Sequence, residues 1–472
     1  MTNIRTYQDL TEVLNDESAK MSFLLTAIRE HESSALFQFA TMAEDYYKHK
    51  NPTIMAAQKF VYDALGRACP DYYTANNKIP CRYYPYFITQ EVQYLLGNGV
   101  NFSDENTKQL LGKNFDNSIQ KIATKALNAG VAFGFWNFDH IEVFGITKNG
   151  SDGSEPAFVP LYDEESGALR AGIRYWQISD DKPLRIMLFE EDGITEYIKR
   201  KDEDMEILQP KLDYKQDFVT SEVSGTQIYN GGNYPTFPIV PMWNVNRQSE
   251  LVGGKETIDA YDLMLSALIN NIDDANLIYW VIKNCGGMDD MDDAKFVERL
   301  KTLHVAHADG DDGASVEAHS VEAPFEANET ALSRLKTQLF DDFMALDTKS
   351  IASGAATATQ IQAAYEPLNS KTDQFEYQVT EFINGILTLA GIEDNPTYTR
   401  SLIVNKQEEV QMILQAANHL TSDYVTEKIL TILGDIDRKD DIIQQIAVEE
   451  QTRFNNLANI VETNDEGDEF TE

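Results

Sequence analysis

Cysteine is scarce in this chain: Cys69, Cys81 and Cys285 are the only three in 472 residues. An odd, scattered set does not build the disulfide framework of a small secreted protein, and a reducing compartment suits it better. Basic residues are also few. Against 77 Asp and Glu stand 39 Lys and Arg, for a net charge of −38 and a pI near 4.4. Such a surface repels phosphate backbones and anionic membranes, which excludes tight nucleic-acid binding but not a wall past which DNA slides without sticking. No stretch approaches 18 uninterrupted apolar residues, and the opening MTNIRTYQDLTEVLNDESAK lacks the charged-then-apolar order of a secretion signal. A soluble protein made in a cytosol, without membrane partners, is expected.

Catalytic signatures are missing as well. Gly253-Gly254-Lys255-Glu256 is the nearest approach to a phosphate-binding loop, but position 249 is Ser where the upstream glycine belongs, and Glu256 stands where Ser or Thr would bind magnesium. Neither GxGxxG nor GxSxG occurs. His304 and His307 are three apart on a probable strand and so point to opposite faces, which argues against a metal pair completed by His319. Asp309 to Gly313 has its glycine one position early for a calcium loop and no closing Glu, so it reads as a tight turn. The pairs Asp289-Asp290 and Asp292-Asp293 are solvated acidic runs, or in an alternative reading the site of a metal-dependent hydrolase. No catalytic residue, metal ion or cofactor is expected.

What is present is a folded chain, 42% hydrophobic and 10% aromatic. Helical periodicity covers residues 7 to 50 and stops at Asn51-Pro52; helices follow over YYPYFITQEVQYLL, ended by Gly97-Asn98-Gly99, and over Thr107 to Asn128. From Gly130 to Asn246 the period changes to alternation, in short segments such as VAFGFWNF, AFVPLY, LRIMLFEE and MEILQP divided by turn signals, an antiparallel β region. The longest regular stretch then runs from Glu256 to Lys283, where Ile258, Tyr261, Leu265, Leu268, Ile272, Ala275 and Tyr279 recur at steps of three and four. Such a rod is roughly 42 Å long. Asp259, Asp262, Asp273 and Asp274 form its opposite, acidic side, read as facing solvent or a channel. A second rod is expected over Glu326 to Leu346, with Leu332, Leu335, Leu339, Phe343 and Leu346 in register. Between the rods lies a short helix, a strand HVAHA, the turn and a strand SVEAHSV. After the flexible KSIASGAATATQ comes a helix to Ala390 that Pro367 should kink, because it lacks the amide donor and its ring clashes with the preceding turn. A strand near TYTRSLIV, helices over 407–419, 422–433 and 440–461, and an acidic, disordered tail complete the chain.

Several of these segments, in this order, resemble the portal proteins of tailed bacteriophages, the head-to-tail connectors, of the siphophage type found in phages of Gram-positive hosts. They are YYPYFITQEVQYLLGNGVNF, FVPLYDEESGALRAGIRYW, FPIVPMWNVN followed by ETIDAYDLMLSALINNIDD, and RSLIVNKQEEVQMILQAANHLTSDYVTEKIL. VIKNCGG after the first rod and SGAATA after the second depart from the family's usual strings. The resemblance implies an α+β portal fold: N-terminal helices and a β-rich wing over 1–246, stem helix 1 over 247–283, and a small α/β clip over 284–325. Stem helix 2 would span 326–347, a tunnel loop 348–358, a kinked tunnel helix 359–395, a helical crown 396–456 and the tail 457–472. Ile258, Tyr261, Leu265, Leu268, Ile272, Tyr279, Leu332, Leu335 and Leu339 would pack the stem, and Lys349, Ser350, Ile351, Ala352, Ser353 and Gly354 would line the DNA channel. It further implies a ring of twelve copies at a capsid vertex of the virion, through which double-stranded DNA passes weakly held and without sequence preference. The large terminase subunit, head-completion adaptors, and the major capsid and scaffolding proteins would be its partners, and the ring itself would hydrolyse nothing. A ring-forming tail or baseplate adaptor is the alternative of similar architecture.

Overall fold

The computed structural model describes residues 5–62, 66–71, 75–148, 155–220, 227–275, 279–283, 315–319, 325–349, 358–401, 406–434, 439, 441–449 and 451–452. The chain forms two compact units, one of residues 1–347 with 367–401, the other of 348–366 with 402–472.

The first unit begins with α1 (Tyr7–Val13), α2 (Glu17–Glu32), α3 (Ala35–Tyr47) and α4 (Pro52–Ala56). The continuous periodicity over 7–50 is therefore cut by side-chain caps: Thr6, Asp16 and Ser34 each accept from amides of the turn that follows. Pro52 does not end a helix. It is the first residue of α4, with Asn51 as cap, the position where its missing N–H costs nothing. β1 (Phe60–Tyr62) and β2 (Ala68–Pro70) pair, and α5 (Tyr83–Leu96) follows as expected. After β3 (Val100–Asn101), the helix read over 107–128 is in fact two, α6 (Glu105–Leu110) and α7 (Phe115–Ala129). The break is at Gly112, whose φ of +90° and contact with the Asp139 carbonyl leave no room for a Cβ.

The sheet strands are β4 (Val131–Asn137), β5 (His140–Gly145), β6 (Ala157–Tyr162), β7 (Leu169–Trp176), β8 (Leu184–Glu190), β9 (Gly193–Lys199) and β10 (Met205–Leu212). β11 (Lys215–Thr220) and β12 (Gln227–Gly232) form a separate ribbon, and β13 (Ile239–Trp243) returns to the sheet. The eight-stranded sheet has the order β10-β9-β8-β7-β6-β5-β4-β13. It is antiparallel except for one parallel bridge between Gly145 of β5 and Ala157 of β6, a departure from the all-antiparallel expectation. Both faces are covered. Phe158 and Phe189 join the larger core with α3, α5 and α7, while their sequence neighbours Val159 and Leu188 join a second core with α1 and α2, as the period of two along a strand requires.

The first rod, α8, spans Lys255–Ala275, and Tyr279–Lys283 is not helical: it is β14, paired antiparallel with β15 (Ser315–His319). The heptad pattern overran the helix because Tyr279-Trp280-Val281-Ile282, aromatic and β-branched, suits a strand better than a helix. The second rod, α9, spans Phe325–Asp342. It stops four residues short of Leu346, in a turn where Met344 takes a φ of +50° and the Ala345 amide reaches back to the Phe340 carbonyl at 2.9 Å. The long helix α10 runs from Ala358 to Ala390 with Pro367 inside it. β16 (Thr397–Tyr398) pairs with β3.

In the second unit α11 (Lys406–Ala416) passes through a 3₁₀ turn at Ala417–His419 to α12 (Ser422–Leu433), and residues 441–449 are helical. The expected short helix near 292–300, the strand HVAHA and the acidic tail lie outside the described residues. Among the described residues no helix is long and apolar enough to cross a membrane.

Candidate functional site

The two rods meet α5 and the later part of α10 at one junction in the first unit, and aromatic rings fill it. Phe87 of α5 stacks on Phe343 at a centroid distance of 4.7 Å and meets Phe340 edge-on at 5.2 Å, and Tyr83 meets Tyr261 of α8 edge-on at 5.3 Å. Gly254, just before α8, lies against the Phe343 ring so closely that a Cβ would overlap it.

The stem-packing residues divide by depth. Ile258 and Leu339 are buried; Tyr261, Leu265, Leu268, Leu332 and Leu335 are half-buried. α8 and α9 pack on each other along this seam. Ile272 is 40% exposed, and Tyr279 lies on β14 opposite His319. Lys349 is exposed. Ser350, Ile351, Ala352, Ser353 and Gly354 lie outside the described residues, as does the 284–314 region considered for metal chemistry.

On the acidic side of α8, Asp262 departs from the expectation of a solvated or channel-facing stripe, Asp259 is half-buried, Asp273 is exposed, and the Asp274 side chain lies outside the described residues. Asp262, Ser266 and Asn270 are buried, and each accepts a hydrogen bond from an alternate amide of the extended segment 77–81. The Cys81 amide donates to Asp262 Oδ1 at 2.8 Å, that of Ile79 to Ser266 Oγ at 3.0 Å, and that of Asn77 to Asn270 Oδ1 at 2.7 Å. Two residues of extended chain advance about 6.6 Å and four residues of helix about 6.0 Å, so the strap and the i, i+4, i+8 row run in register, in opposite directions. Asn77 Nδ2 closes the row on Asp273 at 2.7 Å. At the other end Asn51 Nδ2 donates to Asp262 Oδ2 at 2.8 Å and to Asp259 Oδ1 at 3.0 Å, and Lys255 pairs with Asp259 at 2.6 Å. Burial pushes the Asp262 carboxyl up from its ordinary value, against the pull of its Asn51 and Cys81 hydrogen bonds. Three polar side chains at four-residue spacing were the signal for this row, hidden among apolar residues.

A second polar feature joins residues far apart in the sequence. Lys371, one turn beyond Pro367, places Nζ 2.6 Å from Glu91 Oε2 of α5 and 2.7 Å from Glu250 Oε2 in the loop leading to α8. It also donates to the Phe343 carbonyl at the end of α9, at 3.3 Å. Glu250 Oε1 accepts in turn from Asn244 Nδ2 at 2.9 Å. Glu91 is 1% exposed, and burial raises its carboxyl to about 7, with Lys371 opposing and Glu250 adding to the rise. Burial works against the Lys371 charge, yet the two carboxylates hold the ammonium above its ordinary range. One cation ties together α5, the entry to the first rod, the end of the second and the long helix.

Comparison with known proteins gives a consistent family. Residues 28–454 match the family described as phage portal protein, SPP1 Gp6-like. The portal protein of Clostridium phage phiCD119 is 24% identical over 363 residues, covering 72% of this chain and 78% of that protein. The portal protein of Bacillus phage SPP1 is 24% identical over 455 residues, covering 86% and 84%. Among solved structures, a chain of the virion of a native gene transfer agent particle aligns with a TM-score of 0.42 at 10% identity, covering 74% of this chain and 89% of that one.

Proposed function

The chain belongs to the phage portal protein family, SPP1 Gp6-like, and on that premise we propose that twelve copies close into a ring at the capsid vertex and that DNA enters and leaves the head through its centre. The observation that carries this reading is the family match over 28–454, nearly the whole chain. Two features agree with it. The packed rods α8 and α9 are joined through the β14–β15 pair, which suits a stem with its clip at 284–325. The net charge of −38, repeated around a ring, keeps phosphates mobile along the wall. Assembly then depends on large buried surfaces between copies and on counterion screening.

In this proposal 348–358 is the tunnel loop, with Lys349 to Gly354 nearest the DNA. α10 is the tunnel helix bent at Pro367, and the 402–456 helices belong to the crown. The large terminase subunit docks on the clip during packaging and head-completion proteins replace it; the ring binds these partners and catalyses no step. The test is a bulky side chain in the loop. Particles assembled with Gly354→Trp should contain intact rings but little nuclease-protected DNA. Full DNA content would remove the loop from the channel, and loss of rings would place it between copies.

A further inference from the structure

The Lys371 cluster is more than a buried ion pair. A lone ammonium lies at ion-pair distance from two carboxylates and donates to a carbonyl, and these groups come from three elements that are far apart in sequence; Glu91 Oε2, buried beside it, has no hydrogen-bond partner among the described residues. With both carboxylates ionised the cluster would hold a net negative charge out of water, which is unfavourable at this depth. With one proton it is neutral. Glu250 has a further donor in Asn244 and is the less enclosed of the two carboxylates; Glu91, 1% exposed, is the one disposed to carry the proton.

We propose that Lys371 is the positioning residue of the long helix, joining it to both rods at once, and that the two carboxylates facing it hold a single proton on Glu91. The lock is tightest when that proton is present and loosens when it leaves. The groups facing Glu91 are Lys371 from α10 and Glu250 from the loop before α8. Tyr84 of α5 faces Glu250, and Glu44 of α3 in turn faces Tyr84. The functional meaning rests on the portal reading, because α10 follows directly on the segment assigned to the tunnel loop. A clamp beside Pro367 fixes the 367–390 part of that helix within the first unit.

The experiment is hydrogen–deuterium exchange of the purified full-length protein, corrected for intrinsic rates, at about pH 6 and about pH 8. In the wild type, protection of amides 368–390 should fall severalfold between the two, while α7 stays unchanged. Glu91→Gln, which is neutral at both, should abolish that dependence and keep the more protected level. Lys371→Met should lose about tenfold or more at the higher pH, and Lys371→Arg should recover part of it. A Glu91→Gln variant with the wild-type pH profile overturns the shared proton, and unchanged protection in Lys371→Met overturns the clamp. Should Lys371→Met fail to fold, the Glu91→Gln profile still decides. Exchange reads the lock in any oligomeric state, whereas a wild type that never closes into rings sinks the portal ring and leaves the lock to be judged by its own data.

Discussion

Removing the carboxylate of Asp262 tests how the strap is held to the first rod. In Asp262→Ala, the Cys81 amide and the Asn51 side-chain amide both lose a buried acceptor. Asn51 cannot turn to compensate, because its Oδ1 already caps α4 through the Thr53 and Ile54 amides at 3.0 and 3.2 Å. Two donors left without a charged acceptor cost about 3–6 kcal/mol, and relief from burying a carboxylate returns part of it, for a net loss of about 2–4 kcal/mol. Asp262→Asn keeps one oxygen for Cys81 but sets an amide against an amide at Asn51, so about half of that loss is expected. The pH dependence has a definite sign. Burial raises the folded-state pKa of Asp262 above its unfolded value, so the folded chain holds the proton longer. The associated stabilisation is fully present below the unfolded pKa and is lost as pH rises through the folded one. Asp262→Asn should flatten that part of the profile. Urea unfolding supplies the energies, and Cys81, whose thiol burial makes hard to ionise, supplies a local readout: its reaction with a thiol reagent should quicken as the strap lifts. An Asp262→Ala loss under about 0.5 kcal/mol with unchanged Cys81 reactivity would refute the strap's dependence on this row.

Other outcomes follow from the same geometry. Leu339→Ala, at a fully buried seam position, should cost about 2–5 kcal/mol by denaturant unfolding, whereas Ile272→Ala, 40% exposed, should stay within about 0.5 kcal/mol; equal effects would mean the seam is covered elsewhere. Gly254→Ala forces a methyl onto the Phe343 ring and should lower the melting midpoint through a loss of about 1–3 kcal/mol. Because every copy carries −38, sedimentation should show more complete ring closure as ionic strength rises, and an opposite trend would point to attractive pairs dominating the interface.

The helices over 83–96 and 422–433 were readable because apolar periodicity and end signals coincide there. Most strands of the eight-stranded sheet were readable because alternation is strong in aromatic and branched segments. β11 and β12 fall inside the expected β region but do not stand out as separate strands, since KQDFVT and QIYNGG alternate weakly and carry charge or glycine. The heptad count carries the first rod past its end at Ala275 because Tyr279 continues the spacing although its neighbours favour a strand. Asp262 reads as facing solvent or a channel because a carboxylate on a helix usually is solvated; its partners are the Cys81 amide and the Asn51 side chain, some 180 and 210 residues earlier in the chain, which no local pattern reveals. Glu91, Glu250 and Lys371 are likewise too far apart for spacing to connect them. The channel loop rests on resemblance alone.

Closure of the ring decides whether this chain forms a portal channel. Electron microscopy of the purified protein at moderate salt, with native mass measured on the same sample, should show closed rings with an axial opening and a mass of twelve chains. A monodisperse monomer that persists at high concentration and high salt would contradict it.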